Sequence, residues 1–339
     1  MPVASLMEEE ALSAPDRVAA VLEEGVAERR ALVAALLAEP PALGVTVGRG
    51  SSDHVCSFAA WTFLRRLRLP TMSLQPSLVT RDGAEPRVER ALMLAVSQSG
   101  QGADVIGVTA WGRSAGARTV ALVNDPASPL AAAAEFVLDQ RAGPERSVAA
   151  TKSVICSMAG VLALAADLSD DDHLHRVLGR LPSELHATAA AGGGLEIGPF
   201  AGAEHAFVLA RGAGLAAGAE IALKLKETCG LSAEALSAAE VRHGPREVVG
   251  PGFLVVALAL PGPTEGDVRT AAAELAAQGA SVIMLGCASD DTWRMPTVDP
   301  VSAPLAALQL AYPAIARAAQ ARQRDPDRPR TLSKVTSTF

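Results

Sequence analysis

Residues 92–104 read LMLAVSQSGQGAD, and the character of this stretch changes in its middle. Its first five residues are apolar, as in a buried strand, and they run directly into hydroxyl, amide and glycine residues. Ser97, Ser99 and Gly100 supply donors without bulk, and a helix beginning at Ala103 would aim its unpaired N–H groups at the same point. The pattern predicts a strand followed by a phosphate-binding loop; a polar loop without a ligand is the alternative.

The second half of the chain repeats the first at a constant shift of 162 positions. Three pairs of segments align: Arg49-Gly50 with Arg211-Gly212, 92–96 with 254–258, and 119–123 with 281–285. Short, continuously apolar strands of this kind are buried in parallel sheets that helices cover on both faces. The repeat therefore predicts an α/β chain with two tandem doubly wound, flavodoxin-like domains and parallel sheets.

We expect four segments along the chain: a helical N-terminal segment 1–39, a first domain 40–190, a second domain 195–324 and a tail 325–339. The glycine-rich run 191–194 marks the boundary between the two domains. The tail reads DPDRPRTLSKVTSTF, and its polar, proline-broken composition predicts disorder.

Composition excludes several classes of protein. A net charge of −7 and only 3% aromatic residues argue against a nucleic-acid partner. No apolar run approaches the roughly 18 residues of a membrane span, and the acidic N-terminus does not resemble a secretory signal, so we expect a cytoplasmic protein. The four cysteines form no C-x-x-C pair and the histidines no ligand group, so we expect reduced thiols, no metal and no cofactor.

A second set of chemical groups lies in the sequence EIALKLKE, residues 220–227. Helical spacing places Glu220, Lys224 and Glu227 on one face, so that two carboxylates flank one amine. A solvated face with an ordinary ion pair is the alternative. His243 follows in a loop that Gly-Pro ends, although a lone histidine is more often structural.

The two halves differ where the first has its hydroxyl groups. At the shifted positions, Ser97 and Ser99 become Ala259 and Pro261. We therefore expect only the first domain to bind a phosphate, while the second contributes the acid and base groups.

The chain resembles the sugar isomerase (SIS) family, and most closely its tandem members: the isomerase half of glutamine:fructose-6-phosphate amidotransferase and the stand-alone glucosamine-6-phosphate deaminases. The resemblance covers nearly all of the chain. Its motifs are Gly50-Ser51-Ser52, Ser97-Gln98-Ser99-Gly100, Ala142-Gly143-Pro144-Glu145, Val148-Ala149-Ala150-Thr151-Lys152, Ala222-Leu223-Lys224-Leu225-Lys226-Glu227 and His243-Gly244-Pro245.

The resemblance implies roles for these residues. Glu227 would move a proton between C1 and C2 with help from Lys224, His243 of the partner subunit in a homodimer would open the sugar ring, and Lys334 would close over the open-chain sugar. The substrate, a sugar phosphate, would contact eight residues: Ser51, Ser52, Ser97, Gln98, Ser99, Gln101, Val148 and Glu220.

The chain departs from the synthase pattern at Gln101-Gly102, where the synthase has Glu-Thr, and at Ala150, where it has serine. The sequence as given also begins at the N-terminal helix, with no glutaminase segment to supply ammonia. We therefore expect a glucosamine-6-phosphate deaminase that forms fructose 6-phosphate and ammonia. The alternatives are an aldose-ketose isomerase or synthase half acting on another sugar phosphate, and a non-catalytic sugar-phosphate sensor.

Overall fold

The computed structural model describes residues 4–334, which form two five-stranded parallel sheets with flanking helices. Residues 1–3 and 335–339, parts of the predicted N-terminal segment and tail, lie outside the described residues. The strands are β1 (Leu43–Val47), β2 (Thr71–Ser73), β3 (Ala91–Ser97), β4 (Arg118–Val123), β5 (Phe136–Asp139), β6 (His205–Ala210), β7 (Ser232–Ser237), β8 (Leu254–Ala259), β9 (Ser281–Gly286) and β10 (Trp293–Arg294).

The α-helices are α1 (Leu6–Leu12), α2 (Ala14–Glu24), α3 (Val26–Ala38), α4 (Ser51–Leu67), α5 (Pro76–Thr80), α6 (Ala103–Ser114), α7 (Pro129–Ala133), α8 (Lys152–Ser169), α9 (Asp172–Ala191), α10 (Gly214–Lys224), α11 (Glu265–Ala277) and α12 (Ala303–Ala321). A π-helical turn, Leu225–Cys229, continues α10, and short 3-10 turns occupy Gly192–Gly194, Gly198–Phe200, Glu240–His243 and Pro245–Val248.

The two sheets have the same strand order, which confirms the predicted fold. The first runs β2-β1-β3-β4-β5 and the second runs β7-β6-β8-β9-β10, with every neighbouring pair parallel. The equivalent central strands, β3 and β8, are buried along almost their whole length, so both faces of each are covered by helices. This is the order of a flavodoxin-like doubly wound sheet, written twice in one chain.

An ion pair is repeated together with the strands. Arg49 follows β1 and lies 2.8 Å from the carboxylate of Asp104 in the first turn of α6. Arg211 follows β6 and lies 3.0 Å from Asp267 in the first turn of α11. In both copies, therefore, a strand-end arginine is tied to the start of the helix that follows the central strand.

The chain divides into two compact units. The first unit consists of residues 16–145 and 153–179 and contains the first sheet. The second unit contains the second sheet and consists, among the described residues, of 4–15, 146–152 and 180–334. Each has its own apolar core, around β1, β3 and β4 in the first and around β6, β8 and α11 in the second.

The expectation that no apolar run approaches the length of a membrane span is wrong for helix α8, which is long and apolar enough to cross a membrane; 83% of this segment is buried within the structure. That burial is typical of a core helix. Three of the four cysteines are also buried, all four are free thiols, and burial raises the pKa of the Cys229 thiol to about 11.

Candidate active site

Two strand ends in the first unit carry the predicted phosphate-binding side chains. β1 and β3 are parallel neighbours, with Val47 paired to Ala95, so their carboxyl ends lie at one edge of the sheet. Ser51 and Ser52 begin α4 directly after β1, and Ser97 is the last residue of β3. The structure thus brings the two serine-containing segments to the same sheet edge, where ligands of doubly wound folds bind.

The loop after β3 is folded by its own hydroxyl groups. The Oγ atom of Ser97 accepts the N–H of Gly100 at 3.0 Å, and that of Ser99 accepts the N–H of Gln101 at 3.3 Å. Each hydroxyl keeps its own O–H to donate to an anion. Gln98 is half-buried and Gln101 is exposed.

Helix α6 begins at Ala103, as predicted. Its N-cap is Gly102, which has no side chain with which to satisfy the first N–H groups of the helix. The N–H of Val105 donates to the Asp104 carboxylate at 2.9 Å. The other N–H groups of this turn and the positive end of the helix dipole lie next to the two serines in the sequence, which makes the loop suited to a phosphate.

Gln140, which was not predicted from the sequence, holds the end of β3 in place through hydrogen bonds of its side chain. Its side chain is 1% exposed, and its amide donates to the backbone oxygens of Ser97, at 3.2 Å, and of Leu122, at 3.0 Å. Gln140 directly follows β5, and the sequence gives no signal of this role, because the partners of its side chain lie on other strands.

Replacing Gly100 by alanine should destabilise the protein by about 2–4 kcal/mol, because the strain of a positive φ adds to the steric clash of the new Cβ. Gly100 has φ +63°, and a Cβ there would lie 2.2 Å from the Oγ of Ser128, the N-cap residue of α7. Urea unfolding measures the loss. Gly83→Ala is the matched control, since Gly83 has φ +65° but nothing within 4 Å of its would-be Cβ. Equal losses in the two variants would contradict the steric argument.

The acid and base groups of the second unit lie where the regular helix α10 changes into a π-helical turn. Helix α10 ends at Lys224, and the next five residues form a π-helical turn in which Gly230 donates its N–H to the carbonyl of Leu225. The turn carries Glu227. We expected one continuous α-helix here, and the structure corrects this; π turns of this kind occur frequently at functional sites.

Lys224 lies between two carboxylates. Its ammonium is 3.5 Å from Glu220 and directly hydrogen-bonded to Glu227. The side chains of Lys224 and Glu220 are 1% and 0% exposed, whereas that of Glu227 is 21% exposed. Glu227 is therefore the carboxylate of this trio that a ligand can reach. The predicted contact between Glu220 and the substrate stays a prediction, for a carboxylate that is fully buried here.

Tyr312 completes the cluster from α12. Its hydroxyl donates to Glu220 at 3.2 Å, and both side chains are fully buried. Tyr312 was not predicted to belong to the site, although the sequence carries one signal of its role. Tyr312 is the only tyrosine of the chain and lies in a run of alanine and leucine, and a buried tyrosine hydroxyl needs a polar partner.

Glu227 faces a cavity of about 190 Å³ within the second unit. The walls are Glu227 and Thr228 from the π turn, together with residues of the segment 323–330, among them Arg324, Arg328 and Arg330. A larger cavity, of about 360 Å³, lies near the amino ends of β1 and β3, and its lining contains no carboxylate or histidine. The smaller cavity, in contrast, is lined by the carboxylate that Lys224 holds.

The described part of the tail is irregular but held in place, so the prediction of disorder is wrong for residues 325–334. The Lys334 ammonium donates to the carbonyl of Ser147 at 2.7 Å, and Val148, half-buried, donates its N–H to the carbonyl of Asp327 at 3.1 Å. Composition missed this order because the tail's partners are more than 150 residues away along the chain.

His243 ends the 3-10 turn Glu240–His243 and is exposed. The neighbouring Arg242 makes a two-pronged ion pair with Glu274 at 2.9 and 3.0 Å, which fixes the loop on α11. Within residues 4–334, no three histidine, cysteine, aspartate or glutamate side chains are grouped as a metal ion would need.

The sequence profile of the SIS domain matches residues 45–166 and 200–296, one match in each half of the chain. Among curated proteins, a glutamine–fructose-6-phosphate aminotransferase (isomerizing) from Methanothermobacter thermautotrophicus is 30% identical over 302 residues, which cover 86% of this chain and 51% of that protein. The same-named protein of Pyrobaculum aerophilum is 33% identical, with 86% and 50% covered. The chain thus spans about half the length of the curated relatives it matches.

Solved structures show the same fold. A Silicibacter pomeroyi DSS-3 protein, provisionally assigned as a phosphosugar isomerase, superposes with a TM-score of 0.86 at 37% identity, covering 95% of this chain and 100% of that one. The C-terminal domain of glucosamine-fructose-6-phosphate aminotransferase from Francisella tularensis also has a TM-score of 0.86, at 21% identity, with 97% and 99% covered. The duplicated sheets, the two profile matches and these superpositions agree, and the chain belongs to the SIS domain family.

Proposed function

We propose that this chain is a glucosamine-6-phosphate deaminase, which converts its substrate to fructose 6-phosphate and ammonia. The observation that carries the proposal is the trio on α10 and the π turn. A buried ammonium holds one partly exposed carboxylate, Glu227, at the wall of a cavity. Such a carboxylate is suited to carry a proton to and from carbon, with the ammonium offsetting negative charge as it develops on the substrate.

The proposed reaction begins with ring opening by His243, which leaves an aldehyde at C1 and an amine at C2. Glu227 removes the proton from C2, and the C–H electron pair forms a C1–C2 double bond while the C1 oxygen takes up a proton with help from Lys224. Glu227 then returns the proton to C1, giving an iminium at C2. Water adds to C2, ammonia leaves, and the C2 ketone of fructose 6-phosphate remains.

In this proposal Ser97, Gln98 and Ser99 bind the phosphate, and Ser51, Ser52 and Gln101 contact the rest of the sugar. Val148 and Lys334 contact the open-chain sugar. Binding energy from the phosphate holds C1 and C2 against the base, which lowers the entropic part of the barrier.

The choice of a deaminase rests on Gln101, Gly102 and Ala150, where the sequence departs from the synthase pattern. A second candidate is an aldose-ketose isomerase, because the Lys224–Glu227 pair would move a proton between C1 and C2 equally well when C2 carries a hydroxyl. A Thermotoga maritima protein named as a glucosamine-6-phosphate deaminase and an Escherichia coli protein named as a tagatose-6-phosphate ketose/aldose isomerase both share the fold, each at 22% identity.

Incubation with glucosamine 6-phosphate should release ammonia and fructose 6-phosphate in equal amounts. Parallel incubation with glucose 6-phosphate tests the isomerase, and fructose 6-phosphate with ammonium tests the synthase direction. Interconversion of hexose phosphates without ammonia release would favour the second candidate. Binding of glucosamine 6-phosphate without any turnover would favour a sensor.

We further propose a cytoplasmic homodimer in which His243 of the partner subunit opens the sugar ring. Its support is that His243 is exposed and forms no part of the Lys224 cluster. Sedimentation equilibrium tests the assembly, and a monomer at assay concentration with full activity would remove this part of the proposal.

A further inference from the structure

The peptide group between Ser147 and Val148 is held on both sides by the tail. Its carbonyl accepts from the Lys334 ammonium at 2.7 Å, and its N–H donates to the carbonyl of Asp327 at 3.1 Å. All of these residues belong to the second unit. The Ser147 carbonyl is therefore one of the groups that place the Lys334 amine.

Helix α1 also holds this segment, through the side chain of Glu10. The carboxylate of Glu10, a residue that is 8% exposed, accepts the N–H of Arg146 at 2.5 Å with one oxygen and the N–H of Ser147 at 3.1 Å with the other. Ser147 itself is fully buried. A carboxylate is the side-chain group that can accept two backbone N–H groups in this way, and such charge-assisted bonds are about twice as strong as neutral ones.

The hydrogen bonds close into a circuit. The Asp327 carboxylate accepts the N–H groups of Leu6 and Met7, at 2.9 and 2.7 Å, in the first turn of α1. The circuit runs from α1 through Asp327 to the 147–148 peptide group, and from Ser147 through Glu10 back to α1. Lys334 is bonded to this circuit at the Ser147 carbonyl, so a shift of Glu10 moves a group to which the amine is bonded.

We infer that Glu10 is a positioning residue for Lys334: by holding the Ser147 backbone, it sets where the tail amine lies when substrate arrives. This inference rests on the proposed function, in which Lys334 acts on the open-chain sugar. Glu10 lies 324 positions from Lys334 in the sequence and touches no reacting atom in the proposed mechanism. Replacing Glu10 should therefore lower the rate of the chemical step, and the size of this loss should depend on whether Lys334 is present.

Glu10→Gln keeps the size of the side chain but leaves one N–H of the pair facing an amide NH₂ group. We expect kcat to fall about tenfold, as for other groups that orient a reacting residue, with KM changed less than about twofold. Glu9→Gln is the matched control, because Glu9 is the adjacent residue on the same helix and is exposed. Asp327→Asn, which loosens the other side of the circuit, should resemble Glu10→Gln.

A double-mutant cycle separates positioning from a general loss of stability. In a Lys334→Met background, adding Glu10→Gln should lower the remaining kcat by less than about twofold. Equal losses in both backgrounds, or a Glu10→Gln enzyme that matches Glu9→Gln, would overturn the inference.

Amide hydrogen exchange gives a readout that needs no turnover. Glu10→Gln should speed exchange at Ser147 and Val148 and across 325–334 at least tenfold, and Glu9→Gln should not. If the protein turns over none of the sugar phosphates, the proposed function fails while this measurement still decides whether Glu10 holds the segment. Unchanged exchange would overturn the inference whatever the activity.

Discussion

Replacing Glu227 by glutamine should lower kcat for ammonia release by about 10³-fold, within the range that proton transfer by a positioned group contributes. Glutamine has nearly the same shape and can still accept a hydrogen bond from Lys224, but its amide cannot take a proton from carbon. Binding of glucosamine 6-phosphate, measured by calorimetry, should change little, because the phosphate contacts belong to other residues.

The same variant should also lose exchange of the C2 hydrogen with solvent deuterium, which reports the proton transfer separately from imine hydrolysis. Glu234→Gln is the control, since Glu234 is an exposed glutamate on β7 of the same unit. Retention of wild-type kcat in Glu227→Gln would remove the proposed mechanism altogether.

Replacing Lys224 by methionine should cost about 3–5 kcal/mol of unfolding free energy, the usual loss when one partner of a buried ion pair is removed. The side chain of Lys224 is 1% exposed, and its loss removes a cationic partner of the fully buried Glu220. Lys226→Met, in the same π turn but exposed, should fall within about 0.5 kcal/mol of wild type. Urea unfolding followed by circular dichroism measures both variants.

A second substitution tests the physical reason for that loss. Adding Glu220→Gln to Lys224→Met removes the buried negative charge that Lys224 had offset, so the double variant should recover part of the lost stability. If adding Glu220→Gln lowers the unfolding free energy of Lys224→Met still further, the loss in Lys224→Met comes from packing and not from charge.

Much of the fold could be predicted from the sequence because the repeat is local and regular. The shift of 162 positions places β1 on β6, β3 on β8 and β4 on β9, and the structure has these strands in equivalent places in its sheets. Periodicity and apolar runs are properties of neighbouring residues, so a single sequence carries them.

The supports of the candidate site could not be predicted, because they come from distant parts of the chain. Tyr312 lies 92 positions from its partner Glu220, and Asp327 lies 320 positions from Met7, whose N–H it accepts. The π turn escaped prediction for another reason. The sequence LKETC contains nothing that disfavours an ordinary helix, and the wider turn depends on packing around it.

The π turn has a further consequence for the carboxylate it carries. In the proposed reaction the base takes a proton from one carbon and returns it to the neighbouring one. The i→i+5 spacing of a π turn aims Glu227 at a different angle about the helix axis from the one that an uninterrupted α-helix would give, while Lys224 keeps its place in the regular helix. The local widening thus sets the direction in which the acidic group meets the cavity.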